Sequence, residues 1–346
     1  MGYNIALNFE DGVTRIVECG PDETVSDASY RVGINIPLDC RAGACGTCKC
    51  HAESGDYDGG DYMEDALTDA EAAEGFALAC QMRPKTDLVI NIAASSAVCK
   101  TKGQSFKARL DAVERLSSST IAFSLSLEGG LGHLAGQYAN VLVPGTDQFR
   151  SYSFSSAPGK AELSFLIRDI PAGLMSGFLR ENATPGMPME FIGPAGSFYL
   201  REIERPLLFL AGGTGLAPFL SMLGRIGATG SRHPIHLIYG VTNDEDLVGV
   251  EQLAQFAERI PGFTFSCCVA AETSVYWRKG YVTRYIEPAH LNHGDVDVYL
   301  CGPPPMVEAV RVWLAEQGIA PAHFYYEKFA PSGAVTTIAE SRRLAA

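Results

Sequence analysis

The chain has 346 residues, 47% of them hydrophobic and 19% charged, with a mean hydropathy of +0.05, which is too long for one ordinary core and too apolar for a disordered chain. Its net charge of −13 argues against nucleic acid or an anionic membrane surface as a partner. No run approaches the roughly 18 apolar residues of a membrane span, and the first twelve residues, already acidic at Glu10 and Asp11, lack a basic leader with an apolar stretch. Ten cysteines are present and six of them fall between residues 40 and 99, which suits metal ligation in a reducing compartment better than disulfides. The expectation is a cytoplasmic chain of three domains.

Ile5, Leu7 and Phe9 alternate, Asp11-Gly12 follows, and Val13, Ile16 and Val17 come next, a pattern for a β-hairpin. Thr24 starts a short helix that Gly33 can end, and Thr68 with Glu71 makes a capping box closed by Gly75. Residues 1–101 are therefore expected to form a small α+β domain. Polar residues Ser95, Ser96 and 100–104 read as a linker, with the boundary near Lys102.

Residues 102–204 carry short, half-alternating strands at near-regular spacing: 106–113, 120–127, 137–143, 150–155, 162–168 and 189–192. That spacing predicts an antiparallel β-barrel, with one helix over 174–180. From 205 to 330 strands (206–211, 236–239, 263–269, 296–301, 324–329) alternate with helices beginning at Ala217, ending beyond Leu253 and beginning at Met306. Such βα alternation predicts an α/β domain on a mostly parallel sheet. The polar, Ala-rich tail 331–346 is given no structure.

Cys40, Cys45 and Cys48 stand in C-x4-C-x2-C spacing and Cys80 follows after a gap of 31 residues. This is the spacing of a plant-type 2Fe-2S cluster loop. Gly43 and Gly46 permit the tight turns by which such a loop aims backbone N–H groups at sulfur. Structural zinc is the rival, but zinc ribbons show two C-x2-C pairs where this segment has one. Cys50 stands two residues from Cys48, on the same face of an extended strand, and is read as a packed thiol because Cys80 completes the spacing. Cys19, Cys99, Cys267 and Cys268 are read as small hydrophobes.

Arg150-Ser151-Tyr152-Ser153 lies on an expected barrel strand. A cation, a flat aromatic and a hydroxyl on one strand suit the diphosphate, ring and N5 edge of a flavin, although such a string alone is compatible with an ordinary strand. Gly173-Leu174-Met175-Ser176 opens a helix whose N-terminus suits phosphate. Further on, Gly212, Gly213, Thr214, Gly215 and Pro218 form a turn at the end of an apolar strand, where a backbone can approach a dinucleotide. Cys301-Gly302-Pro303 and Met306 follow a later strand at the edge where such a sheet places ligands.

Taken in order, the cysteine loop, Arg150 to Ser153, Gly212 to Pro218, Cys301 to Met306 and Glu327-Lys328-Phe329 resemble the reductase components of bacterial ring-hydroxylating dioxygenases, in particular the benzoate, toluate and anthranilate group. The resemblance covers about residues 3–329. It implies a β-grasp ferredoxin domain, an FAD-binding barrel and an NAD-binding α/β domain. Cys40, Cys45, Cys48 and Cys80 would hold the cluster, Ser153, Cys301 and Glu327 would surround the hydride-transfer point, and Phe329 would cover the flavin ring. Asp244, in the loop after the 236–239 strand, would either cap the next helix or lie near the adenine ribose of NADH, whose free 2′-OH suits a carboxylate where a 2′-phosphate calls for a cation. Hydride would then pass from NADH to FAD, and single electrons to the cluster and on to the Rieske centre of an oxygenase. That last step is downhill, since plant-type clusters sit near about −400 mV and Rieske centres at about −150 mV or above. The alternatives are the same machine serving a diiron monooxygenase or a separate ferredoxin, or a redox-sensing module whose cofactors do not turn over.

Overall fold

A computed structural model of the chain describes residues 2–38, 40–99 and 104–329. The expected boundary at Lys102 and the tail 331–346 lie outside the described residues. Two compact units emerge, one holding residues up to Gln104 together with Ala195–Ser197, the other running over Ser105–Pro194 and from Phe198 onward.

In the first unit β1 (Tyr3–Phe9) and β2 (Thr14–Cys19) form the expected hairpin. Ile5, Leu7 and Phe9 point into the core and Gly12 turns the chain at φ +73°. Helix α1 (Val25–Arg31) starts where Thr24 accepts from the Asp27 N–H. β3 (Lys49–Ser54), β4 (Tyr57–Asp58), α2 (Asp69–Ala73), β5 (Phe76–Leu78), β6 (Arg83–Pro84) and β7 (Leu88–Ile92) follow. The Thr68–Glu71 capping box opens α2. The sheet runs β2-β1-β7-β3-β5, with β1 and β7 parallel at its centre. Residues 95–96, read as linker, instead lead into a short helix, α3 (Ser96–Cys99). Asp11 explains it: its Oδ2 accepts from both the Ser96 N–H and hydroxyl at 2.9 and 2.8 Å, which fixes the start of a turn.

The second unit opens with β8 (Gln104–Arg115), β9 (Thr120–Ser126), β10 (Tyr138–Leu142), β11 (Phe149–Ser153), β12 (Glu162–Arg168), α4 (Leu174–Glu181) and β13 (Pro188–Ala195). The six strands run β11-β10-β13-β8-β9-β12. A bridge between Phe154 and Phe165 brings the two ends of that order together, as a barrel requires.

The same unit continues with β14 (Leu207–Gly212), α5 (Ala217–Thr229), β15 (Ile235–Val241), α6 (Val250–Arg259), β16 (Phe263–Val269), α7 (Pro288–Leu291), β17 (Asp297–Gly302), α8 (Pro304–Glu316) and β18 (His323–Lys328). The sheet order is β16-β15-β14-β17-β18 and each neighbouring pair is parallel. All six residues of β14 are buried, as a central strand covered on both faces demands. The helix expected from Met306 starts earlier, at Pro304, a residue suited to a first turn. Ala135, Leu166 and Phe198 from the barrel side share one core with Phe209, Phe219 and Tyr299, so barrel and parallel sheet are packed together as a single body.

Candidate functional site

The cysteine loop is built by backbone that most residues avoid. Arg41, Gly43 and Gly46 all have positive φ, at +56°, +70° and +75°. A side chain at Gly43 would also strike the Asp61 carbonyl, 2.5 Å from where its Cβ would stand. The turns aim the Ala42 and Ala44 N–H groups at Cys40 Sγ, at 3.4 and 3.3 Å. Gln81, which the sequence did not flag, donates to Cys80 Sγ at 3.7 Å and to the Arg41 carbonyl at 3.1 Å; its place beside Cys80 was the available signal.

The four cysteines meet as two pairs. Cys45 hydrogen-bonds Cys40, which together with the loop N–H groups brings the Cys40 thiol down to about 5. Cys48 hydrogen-bonds Cys80, so that Cys80 falls to about 7 while Cys48 is pushed up. Two pairs match a two-iron cluster, which takes two thiolates on each iron. Among the described residues no group of three or more His, Cys, Asp or Glu side chains is arranged to hold a single metal ion. Cys50 is turned into the core, its thiol on the Ala77 carbonyl at 3.5 Å and pushed up to about 12 by burial.

On β11 the four residues divide by face. Arg150 folds back on its own strand, donating to the Phe149 carbonyl at 2.8 Å and to Gln148 Oε1 at 2.9 Å. Ser151 donates to Asn140 at 2.7 Å. Tyr152 meets Phe123 edge to face at 6.0 Å. Ser153 is buried and donates to Glu327 Oε2 at 3.2 Å. At α4, Gly173 is the N-cap without a side-chain capping bond, Met175 and Ser176 face inward, and the Ser176 hydroxyl accepts from the Ile170 N–H at 3.2 Å. The first turn therefore keeps backbone N–H groups without capping partners, the feature that suits an anionic ligand.

In the parallel sheet, Cys301 of β17 stands in register between Ala211 of β14 and Glu327 of β18. Ser153, Glu327 and Cys301 thus come together from strands far apart in sequence. Cys301 is fully enclosed, and burial, with the Glu327 charge beside it, pushes its thiol well above the ordinary range. Phe329 continues past β18 with its N–H on the Gly302 carbonyl at 2.8 Å.

The glycine turn works differently from the simplest expectation. A Cβ at Gly215 would lie 2.3 Å from the Cys301 carbonyl, and one at Gly212 or Gly302 would lie 2.4 or 2.7 Å from Met306 Sδ. These glycines allow β14, β17 and α8 to close on one another, with Pro303 capping α8 and Pro218 in the first turn of α5. Gly213, at φ +55°, has open space around it, and Thr214 stands half-exposed beside it in a 3-10 turn.

Asp244 is not a free carboxylate. Its Oδ1 accepts from the Ser274 hydroxyl and its Oδ2 from the Val275 N–H at 2.9 Å, bonds that hold its carboxyl below the usual range, with a smaller contribution from the Lys279 charge. It sits in a 3-10 turn, Asp244–Asp246, separate from α6, so it does not cap that helix.

Comparison with known proteins decides the family. Three domain families match in the order of the folds above: the 2Fe-2S iron-sulfur cluster binding domain over residues 8–85, the oxidoreductase FAD-binding domain over 107–199 and the oxidoreductase NAD-binding domain over 209–312. The chain is 58% identical over 335 residues to the toluate 1,2-dioxygenase electron transfer component of Pseudomonas putida, covering 96% of this chain and all of the relative. It is 51% identical to the 2-halobenzoate 1,2-dioxygenase electron transfer component of Burkholderia cepacia, over 96% of this chain and 99% of the relative. The chain belongs to the dioxygenase electron transfer components. Among solved structures, an Amycolatopsis cytochrome P450 reductase superposes with a TM-score of 0.70 at 31% identity, covering 94% of this chain and 99% of that one. As a member of this family the chain is an oxidoreductase whose cofactors are a 2Fe-2S cluster, FAD and a nicotinamide nucleotide. No helix among the described residues is long and apolar enough to cross a membrane.

Proposed function

We propose that this chain carries electrons from NADH, through FAD and a 2Fe-2S cluster, to the Rieske oxygenase component of an aromatic-ring dioxygenase of the benzoate type, in a transient complex in the cytoplasm. Ten cysteines free of disulfides suit that reducing compartment. The observation that carries the reading is the meeting of Ser153, from the barrel, with Glu327 and Cys301, from the parallel sheet. It puts a hydroxyl, a carboxylate and a thiol where a flavin-binding and a nucleotide-binding domain join.

When bound, FAD takes two electrons as hydride and releases them singly, which is what a one-electron cluster needs. The chain's own residues orient that exchange. Ser153 directs its hydroxyl to Glu327, and this bond fixes both side chains at the joint. Burial, with the Glu327 charge beside it, keeps the Cys301 thiol protonated. Arg150, held by Gln148 and the Phe149 carbonyl, needs only to exchange those partners to meet a diphosphate, together with the N–H groups of α4 at Gly173 to Ser176. Gly213 and Thr214, then Gly302, Pro303 and Met306, are assigned to the nucleotide, with Asp244 toward its ribose, and Phe329 to the flavin face. The four cysteines are assigned to the cluster. The domains divide as 1–101, 102–204 and 205–330 on this reading, with 331–346 as a tail.

The test is reconstitution with purified acceptors. NADH oxidation coupled to a Rieske dioxygenase acting on benzoate or a substituted benzoate should outpace that coupled to a diiron monooxygenase or to a separate ferredoxin. Faster turnover with either of those acceptors would replace the reading with that partner, and failure of NADH to reduce the cluster at catalytic speed would leave only a sensor.

A further inference from the structure

Asp246 is a buried carboxylate, 9% exposed, whose two oxygens serve two parts of the molecule. Oδ2 accepts from the Asn243 N–H at 3.1 Å and from the Asn243 side-chain amide at 3.2 Å. Tyr239 of β15 donates its hydroxyl to the Asp246 carbonyl at 3.1 Å, which anchors the same turn. Oδ1 faces the barrel, where it accepts from the Ser119 hydroxyl and, at 3.5 Å, from Ser117. Ser118 adds an outer bond to Glu245 at 2.5 Å. These serines turn the β8–β9 hairpin, and the connection continues beyond it. The Ser119 carbonyl accepts from the Asp169 N–H at 2.7 Å. Asp169 pairs with Arg180 near the end of α4, and the next residue, Ile170, donates its N–H to Ser176 in the first turn of α4.

The loop after β15 and the N-terminus of α4 are thus the two ends of one hydrogen-bonded chain within a single compact unit. Buried, fully used carboxylates of this kind hold one geometry, because moving either side strands an acceptor or a donor. We propose that Asp246 is a positioning residue that couples nucleotide binding to flavin binding: ordering the loop by one ligand orders α4 for the other. The proposal rests on the reading above, in which α4 receives the flavin diphosphate and the loop after β15 faces the nucleotide. Coupling of this sort is reciprocal, each ligand strengthening the other by one factor.

The probe is ADP-ribose, which keeps the adenosine and diphosphate of NADH but lacks the nicotinamide, so that ring-on-ring contact with the flavin does not enter. Its affinity is measured by calorimetry on the full-length chain with FAD bound and after FAD removal. FAD should tighten ADP-ribose by about fivefold or more in the native chain, and by less than about twofold in Asp246→Asn and Ser119→Ala. In Asp246→Asn one of the two carboxylate oxygens becomes an amide NH2, which can no longer accept from the serines or from Asn243. Ser119→Ala removes one hydroxyl from a surface hairpin, and decides the question alone if Asp246→Asn does not fold. The ratio is the readout because a general loosening weakens both affinities alike. A ratio near one in the native chain, or a ratio that survives the substitutions, overturns the coupling and leaves the site reading standing. No binding of ADP-ribose to the FAD-loaded chain overturns the site reading and the coupling together.

Discussion

The cysteine loop and the joint of Ser153, Glu327 and Cys301 solve opposite problems. The loop gathers three of its four thiols within nine residues, Cys40 to Cys48, and strains its own backbone to aim them. The joint uses unstrained strands and brings Ser153 to Glu327 across 174 positions of sequence. A site whose geometry is local can be spoiled by one residue in the loop. A site whose geometry comes from packing is held by the whole core around it, so its single residues tune the chemistry while the fold keeps the place.

The comparison breaks most visibly at Cys80. Cys80→Ser should abolish the visible and EPR signals of the cluster while NADH-dependent ferricyanide reduction through FAD survives. Cys50→Ser is the companion variant: its thiol faces the Ala77 carbonyl in the core, so iron content should stay at the native level. Iron loss in Cys50→Ser, or a retained cluster in Cys80→Ser, would show that ligation does not follow the pairing seen in the loop.

At the joint the expected losses are partial. Ser153→Ala and Cys301→Ala should both bind FAD and slow its reduction by NADH roughly tenfold, equivalent to about 1.4 kcal/mol in the transition state. Stopped-flow absorbance at the flavin band measures it. Ser153→Ala also releases the Glu327 carboxylate from a 3.2 Å bond, so Glu327→Gln should reproduce part of the loss. Native reduction rates in all three variants would remove the joint from the chemistry.

The same contrast governs what could be read from the chain. The hairpin, the Thr68–Glu71 capping box and the barrel strand Glu162–Arg168 were legible because alternation and capping are local signals. The cysteine spacing was legible for the same reason. β7 was overlooked although Leu88, Ile90 and Ile92 alternate inward, because it lies after a stretch whose strands are only two or three residues long. α3 was read as linker since its capping group, Asp11, lies 85 positions away. The glycines after the strand Leu207–Gly212 were placed at its end, but their neighbours, the Cys301 carbonyl and Met306, belong to other elements and leave no mark at Gly212 or Gly215. Nothing in the sequence pointed to Asp246, because the barrel serines beside it come from an element more than a hundred residues earlier.

Nucleotide choice should move less than the hydride rate. Asp244 faces Ser274 and Val275, Lys279 donates to the Glu272 carbonyl at 3.2 Å, and Arg278 lies over Trp277 at 4.1 Å. Both cations that a 2′-phosphate would need are engaged, although the Lys279 charge does reach Asp244. NADH should therefore be preferred, and Asp244→Ser should lower the NADH-to-NADPH ratio of kcat/KM by roughly threefold, since it removes the local negative charge and leaves the cations where they are. A native ratio near one, or a ratio indifferent to Asp244→Ser, would show that this loop does not meet the ribose.

The last expected effect lies in the barrel wall, away from the joint, and separates packing from chemistry. His133 is 6% exposed and stacks on Phe154 with ring centroids 4.3 Å apart. Burial brings its pKa down to about 4, opposed only weakly by the backbone at Ser156 and Leu131. The unfolded chain, with an ordinary histidine near 6.5, binds the proton more readily than the folded one, so the stability that this residue's neutral form supports is complete above about pH 6.5 and is lost as pH falls toward 4. The cost approaches about 1.4 kcal/mol for each pH unit inside that window. His236, also brought down to about 4 by burial and by the His290 ring stacked on it at 3.9 Å, adds a smaller share because it is more open to solvent. His133→Phe keeps an aromatic ring against Phe154 and removes the titrating group. Urea midpoints followed by flavin fluorescence should then agree with the native chain within about 1 kcal/mol at pH 7.5 and exceed it at pH 5. Equal losses in the two proteins between pH 7.5 and 5 would mean that His133 is already solvated in the native state, and that the acid sensitivity of the barrel comes from elsewhere.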